Sequence, residues 1–346
     1  MNFKKYDENG LVSIMIASVL MVIMALITLG FTRIVQNEQR QALDAQLSQQ
    51  AFYAAESGIN VAASRPGFPG RQAKTDCDVS GYNAGVIREG VDDVVFTCLL
   101  IDPTPRSLEF NNDSITTNRP KIVPINTNEQ LSQITFEWRD NSGVGDVSTT
   151  CSDVSSLTFA PDAENWGKIA AVKLELIAIP EGNITRGNIL ANHFSTIFYP
   201  CNNSVASEMN YNDATGARRI GRITPVNCAQ TSGEYQCRMT INVPEALRSS
   251  REFYARFNSV YRNIDVRITG LDIAGNEPLF SNAQAVVDST GRANDVFRRL
   301  QARVPLYDIY PLPNGVLQTL DDICKNYEVQ QDRVIDRCLG SASATP

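Results

Sequence analysis

The stretch that decides the fold is Leu11–Phe31, LVSIMIASVLMVIMALITLGF, which contains no charged residue. As an α-helix rising about 1.5 Å per residue it spans roughly 31 Å, the thickness of the hydrocarbon core of a bilayer. Lys4 and Lys5 precede it, and positive charge on this flank favours a cytoplasmic N-terminus. The stretch therefore predicts one membrane-spanning helix, with the rest of the chain outside the cytoplasm.

The helical pattern continues beyond the apolar stretch. Thr32–Ser64 contains no proline, and Gly58 is its only glycine. Small and apolar residues recur there at steps of three and four and form one stripe: Leu43, Leu47, Ala51, Ala54, Ala55, Gly58 and Ala62. Pro66, inside RPGFPG, ends the pattern. We expect one helix over 11–65, transmembrane and then amphipathic, whose stripe needs a partner helix or sheet; a plain signal anchor with a coiled stalk stays open.

Two short motifs resemble the type IV pilin family. ENG before Leu11 looks like a type IV prepilin leader, and QQAFYAAESGIN (49–60) is similar to the same region of PilX-type minor pilins. The resemblance implies a leader over 1–10, cleavage by a prepilin peptidase between Gly10 and Leu11, and N-methylation of Leu11. It also implies a helix face for assembly, on which we expect Met15, Leu43, Leu47, Ala51, Ala54, Ala55 and Gly58.

One position departs from the pilin pattern. Most major pilins carry glutamate as the fifth mature residue, and counting from Leu11 this position is Met15. A carboxylate inside a bilayer is costly unless it is paired, and in the family its partner is the terminal amine of a neighbouring subunit. A chain with Met15 lacks that contact. This favours a structural minor pilin or pseudopilin, initiating the filament or lying near its tip, over a bulk subunit.

The resemblance also implies a cellular setting. The chain is expected to be a single-pass protein of the bacterial cell membrane, with a cytoplasmic N-terminus and an extracytoplasmic head, and then to reach the cell surface in a pilus. Its expected partners are other pilins and minor pilins, the prepilin peptidase, the inner-membrane assembly platform and, before assembly, membrane lipid. The alternative function is a surface adhesin whose binding head uses a pilin-type anchor.

Eight cysteines lie beyond the helix, which indicates disulfides formed in an oxidising compartment. They are Cys77, Cys98, Cys151, Cys201, Cys228, Cys237, Cys324 and Cys338. We favour pairing in sequence order, 77–98, 151–201, 228–237 and 324–338, among the roughly 105 pairings that eight cysteines allow. No pair has CxxC spacing, and a single histidine cannot complete a Cys/His zinc set, so no metal is predicted.

Residues 66–346 are predicted to form a β-rich head, which makes the fold class α+β: a long N-terminal helix followed by a mainly antiparallel β domain with disulfides. Runs rich in β-branched and aromatic residues alternate with turn residues. Strands are expected at 94–101, 134–138, 169–179, 195–199, 237–243, 265–273, 283–288 and 300–308. We also expect a helix at 244–257, linkers at 66–76 and 111–130, and a head that can divide into two lobes near 145–150.

Catalytic chemistry is not indicated. Triads and Cys–His pairs need a histidine, and the only one, His193, adjoins an apolar strand where a structural role is expected. The net charge is −7 and no block of basic residues occurs, which argues against a nucleic-acid partner. Arg298, Arg299 and Arg303 form either an anion-binding patch or the solvated charges of a sheet edge. We therefore predict neither an enzyme nor a cofactor.

Overall fold

The computed structural model describes residues 9–64, 73–79, 94–111, 120–140, 151, 159, 166–179, 185–202, 207–215, 222–228, 235–248, 252–306, 327–330 and 333–336. The chain divides into two compact units, Met1–Asp308 and Ile309–Pro346. In the second unit, β15 (Tyr327–Gln330) pairs antiparallel with β16 (Arg333–Asp336). The elements that follow belong to the first unit.

The helix expected over 11–65 is present as one uninterrupted helix, α1 (Asn9–Ser64), of 56 residues. At about 1.5 Å per residue it is roughly 84 Å long. Hydroxyl groups in its apolar half bond to the helix itself: Ser18 donates to the carbonyl of Met15, Thr28 to that of Met24 and Thr32 to that of Thr28, each at 2.8 Å. These side chains are therefore compatible with a lipid environment, where unpaired donors are costly.

Strands dominate the rest of this unit, as expected for the α+β class. In chain order they are β1 (Val94–Asp102), β2 (Leu108–Phe110), β3 (Lys121–Thr127), β4 (Leu131–Arg139), β5 (Ala171–Ile179), β6 (His193–Cys201), β7 (Glu208–Asn210), β8 (Ile223–Asn227), β9 (Cys237–Asn242), β10 (Glu252–Val260), β11 (Asp265–Asp272), β12 (Phe280–Ser281), β13 (Gln284–Ala293) and β14 (Val296–Pro305). Between them lie the short helices α2 (Arg186–Ala191) and α3 (Glu245–Arg248) and a 3₁₀ turn at Tyr211–Ala214.

Two large sheets form the main core. One has the order β12-β3-β10-β5-β6-β8 and the other β2-β11-β4-β9-β7. Their inner faces share one buried cluster, in which Phe136 packs against Phe257 with ring centroids 5.4 Å apart and Trp138 stacks on Phe198 at 5.6 Å. Pairing is antiparallel except where β6 meets β8 and β7 meets β9. A third sheet, β1-β13-β14, carries α1.

The prediction of a helix at 244–257 is wrong. The chain is helical only over α3, and β10 begins at Glu252. Phe253, Ala255 and Phe257 are buried, and this alternation is the two-residue period of a strand. Because β10 lies between β3 and β5, backbone hydrogen bonds along both edges outweigh the local helix propensity.

The structure describes most of one of the two predicted linkers, and the other linker and the predicted division into lobes lie mostly outside the described residues. Residues 111–130 contain β3, whose Pro124 is tolerated because β12, on one side, pairs only with Asn126 and Thr127. The linker at 66–76 lies mostly outside the described residues, and so does the predicted division near 145–150. Strands from before and after that division share both large sheets, since β3 pairs with β10 and β4 with β9.

Three of the favoured disulfides are confirmed: Cys77–Cys98, Cys151–Cys201 and Cys228–Cys237. Cys228 follows β8 of the six-stranded sheet and Cys237 opens β9 of the five-stranded sheet, so this bond links the two layers of the core. The Cys324–Cys338 pairing lies outside the described residues.

Two of these disulfides lie in the β sandwich that the two large sheets form, and they differ in loop length, with sequence separations of 50 for Cys151–Cys201 and 9 for Cys228–Cys237. If the bonds act by restricting the unfolded chain, paired Cys→Ala substitution lowers the free energy of unfolding by about 4 kcal/mol for the first and about 2.5 kcal/mol for the second. Denaturant unfolding of the purified chain in detergent measures both. An equal or reversed order would contradict loop closure as the cause.

Candidate functional site

The apolar half of α1 has no cover from the rest of the chain. Every described residue from Ser13 to Gln46 is exposed, including the large apolar side chains from Ile14 to Phe31. Within the described part of the chain, α1 is the helix long and apolar enough to cross a membrane. The hydrophobic effect disfavours exposure of the apolar residues up to Phe31 to water, so this part of α1 is suited to lipid or to contact with other apolar helices.

The second half of α1 packs on the sheet β1-β13-β14. Near its start, Leu47, Ala51 and Ala54 are buried with Val94 of β1 and Ala293 of β13. Near its end, Ile59 and Ala62 are buried with Leu99 and Ile101 of β1 and Val287 of β13, and the partly buried Leu300, Ala302 and Val304 of β14 pack against them. The strands thus run along the helix from Leu47 to its C-terminal turn.

Two glycines set how closely helix and sheet approach. A β-carbon on Gly291 of β13 would overlap the carbonyl oxygen of Ala51 and the amide nitrogen of Ala55, and would lie 2.8 Å from the Ala54 β-carbon. A β-carbon on Gly58 would overlap the Ser289 hydroxyl and lie 3.2 Å from the Phe96 ring. Backbone therefore meets backbone along this line, as in tightly packed helices with small residues at their contacts. We call this contact line the α1–β13 seam.

Ser289 lies in the middle of the seam. Its side chain is fully buried, and its hydroxyl finds no hydrogen-bond partner among the described residues. An unpaired buried hydroxyl destabilises a fold by about 1–3 kcal/mol. It lies against Gly58, on the side of β13 that faces the helix.

The structure separates the residues predicted for the assembly face. It brings Leu47, Ala51, Ala54, Ala55 and Gly58 together, but against the chain's own sheet, where they are buried. The other two, Met15 and Leu43, are exposed and face none of the three strands. In this conformation the five buried residues are not available to a neighbouring subunit.

Two features of α1 were missed in the sequence. Phe52 and Tyr53 lie outside the seam, 43% and 56% exposed, with ring centroids 6.0 Å apart. The strand partner of the stripe was missed too, although Ser289, Gly291 and Ala293 alternate along β13 as small residues facing one side. Such alternation was the available signal for a sheet that accepts a helix at short distance.

Gly10 and Leu11, the residues of the predicted cleavage site, lie at the start of α1. The leader residues 1–8 and the side chain of Leu11 lie outside the described part of the chain. His193 is buried at the start of β6. No group of three or more His, Cys, Asp and Glu side chains that could hold a metal ion occurs among the described residues.

The arginines of β14 have structural partners. Arg298 donates to the Ser48 hydroxyl at 2.8 Å and so joins the β13–β14 hairpin to α1. Arg299 contacts both carboxylate oxygens of Asp288, a hydrogen-bonded pairing that raises the pKa of the guanidinium. Arg303 pairs with Glu109 at 2.8 Å. Of the two interpretations of these arginines, charges near a sheet edge fit better than an anion-binding patch, because each guanidinium has a partner within the chain.

Comparison with known proteins adds no relative: no protein-family model, curated protein or solved structure matches the chain. The class that the fold defines is a chain with one long, membrane-compatible N-terminal helix docked on a disulfide-bonded, mainly antiparallel β head.

A pair of substitutions tests the seam. Gly58→Ala places a methyl group against the Ser289 hydroxyl, and overpacking of this kind lowers the free energy of unfolding by about 1–3 kcal/mol. Ser289→Ala removes the clashing and unpaired oxygen, so the double variant should recover most of that loss. Thermal unfolding in detergent of the single and double variants measures the coupling.

Gly30→Ala is the matched control, because a β-carbon at Gly30 meets nothing within 4 Å and alanine favours a helix by about 1 kcal/mol. It should leave the melting temperature unchanged or raise it. If Gly58→Ala behaves like Gly30→Ala, or if the two seam substitutions are additive, the close approach at Gly58 is refuted.

Proposed function

We propose that the chain is a structural subunit of a type IV pilus-like filament, stored in the bacterial membrane through α1 and then assembled through it. The observation that carries this proposal is the continuity of α1: one helix holds an uncovered apolar half and a half docked on the head. A rod of this kind can exchange lipid for neighbouring helices without refolding the head. The prepilin-like ENG before Leu11 and QQAFYAAESGIN add the family resemblance.

The contact surface for neighbouring subunits follows from what the head leaves uncovered. The seam removes Ala51, Ala54, Ala55 and Gly58 from that surface. The exposed apolar residues of α1 remain, from the membrane-compatible half to Leu43 and then to Phe52 and Tyr53. Aromatic side chains contribute strongly at interfaces because they bury a large area with few rotatable bonds. We therefore assign Phe52 and Tyr53 to the contact with the next helix.

Position 15 supports a minor role. Between Leu11 and Phe31 no carboxylate is present to pair with the terminal amine of a neighbour. Without this attraction in a medium of low dielectric, the chain has no charge pair that sets its stagger against a subunit below it. We propose that it initiates the filament or lies near the tip, and that it has no catalytic activity. A binding head on a pilin-type anchor is the second candidate, favoured by a polar groove on the head that is described below.

The N-terminus of the mature protein tests membership of the pilin class. In the native host we expect mass spectrometry to detect a chain that begins with N-methylated Leu11. Gly10→Val, which changes the residue before the scissile bond, should accumulate the uncut chain. Recovery of wild-type protein that begins at Met1 would reject the proposal.

The aromatic pair tests assembly separately from folding. Phe52→Ser/Tyr53→Ser should reduce the amount of the chain in sheared filaments by about fivefold or more, because two exposed aromatic contacts are lost. Its melting temperature should change by less than about 2 °C, since exposed positions contribute little to the fold.

Ile273→Ser is the matched control, because Ile273 is a large apolar side chain, 61% exposed, on the head and away from α1. It should enter filaments at the wild-type level. Normal incorporation of the Phe52/Tyr53 variant, or equal loss for both variants, would overturn the assignment of the aromatic pair.

A further inference from the structure

The outer face of the five-stranded sheet carries side chains in ordered rows. By strand register, the first row is Glu109, Arg267, Glu137 and Arg238, with alternating charge. The second row is Thr269, Thr135 and Thr240, and the third is Leu271, Gln133 and Asn242. Because side chains alternate across a sheet, these residues share one face, opposite to the buried Ile134, Phe136 and Trp138.

A groove of about 450 Å³ crosses these rows. Its floor includes Gln133, Thr135 and Thr269, and charged residues of the first row line it. The wall beside β11 comes from the connection between β1 and β2 and the connection between β11 and β12. Arg106 of the first donates to the backbone carbonyl of Glu277 of the second at 2.9 Å. The volume lies within the range of about 300–1,000 Å³ of small-molecule sites.

Many of the groove's polar groups retain bonding capacity. The hydroxyls of Thr135 and Thr240 bond to each other at 3.0 Å, which leaves one donor between them. The side chain of Thr269 has no hydrogen bond among the described residues. Gln133 donates to the Asn242 side-chain oxygen at 2.9 Å and keeps its own carbonyl oxygen open. The floor therefore offers both donors and acceptors.

The charges of the groove favour an anion at one end. Glu137 is neutralised by Arg267 at 2.7 Å, and the ring of Tyr235 packs 4.5 Å from the Arg267 guanidinium and helps to hold it in place. Arg238, the next residue in the row, is exposed and forms no ion pair or hydrogen bond with any described residue. A carboxylate of a ligand can occupy the position that an acidic side chain would take next to Arg238.

We infer that this groove binds an acidic saccharide, with sugar hydroxyls on the Thr/Gln floor and a carboxylate on Arg238. An added peptide strand is disfavoured, because β4 and β11 have strands on both sides and their backbone groups are already paired. Binding must therefore use side-chain hydroxyl, amide and guanidinium groups, which match a polyhydroxylated anion. The inference goes beyond the proposed structural function and does not depend on α1.

The test is calorimetric titration of the full chain in detergent with trigalacturonate, with maltotriose as the uncharged sugar. We expect trigalacturonate to bind with a Kd of about 0.1–1 mM in low salt, and more weakly as salt rises through about 0.3 M. Maltotriose should bind at least about tenfold more weakly, because it offers no partner for Arg238. Absence of trigalacturonate binding, or equal binding of the two sugars, would overturn the inference.

Variants locate the site. Arg238→Gln should weaken trigalacturonate binding by about tenfold and leave maltotriose unaffected, whereas Thr269→Val should weaken both sugars by about threefold through loss of one hydroxyl. Arg292→Gln is the matched control, since Arg292 is an exposed arginine at the end of β13, outside the groove. Unchanged binding by Arg238→Gln, or equal weakening by Arg292→Gln, would remove the groove as the site.

Discussion

The contact between the backbone of α1 and the backbone of β13 is the constraint on which the rest of the molecule depends. It exists because Gly58 and Gly291 have no β-carbon and because the helix positions that face the sheet beside them, Ala51, Ala54 and Ala55, are alanines. The short separation lets three strands shield the small-residue stripe from Leu47 to Ala62 while the helix continues unbroken toward its N-terminus. This close packing leaves the buried Ser289 hydroxyl without a hydrogen-bond partner among the described residues, which destabilises the fold.

Because of the seam, the two halves of α1 have different surroundings. The head covers one side of the helix from Leu47 onward and none of the described residues before it. The apolar stretch up to Phe31 is therefore suited to an apolar medium, and the side of the docked half that faces away from the sheet remains exposed. The β sandwich is a separate source of stability, with its own core and a disulfide that joins its layers. It can carry a surface such as the polar groove without involving the helix.

Local sequence patterns predicted much of this fold. The charge-free Leu11–Phe31 stretch and the proline-free segment after it predicted α1, because helix length and periodicity are local properties. The stripe itself did not identify its partner, since a small-residue stripe accepts a helix or a sheet equally well; the alternating small residues of β13 were the only signal for it. The prediction of a helix at 244–257 was wrong because EFYARF (252–257) fits the period of a helix as well as that of a strand. Its position between two strands makes it a strand. The rows of the groove depend on strand register across residues far apart in sequence, which a single sequence does not contain.

The most direct test of the account is a scan of α1 by single spin labels in lipid nanodiscs, with collision rates measured for oxygen and for a water-soluble relaxant. We expect labels at 13–31 to meet oxygen and not the aqueous relaxant at every position around the helix. Labels at 47–62 should instead show a helical period of immobilisation, strongest at Ala51, Ala54, Ala55, Gly58 and Ala62. Aqueous access throughout 13–31, or uniform mobility from 47 to 62, would contradict a helix that is half in an apolar medium and half docked on its own sheet.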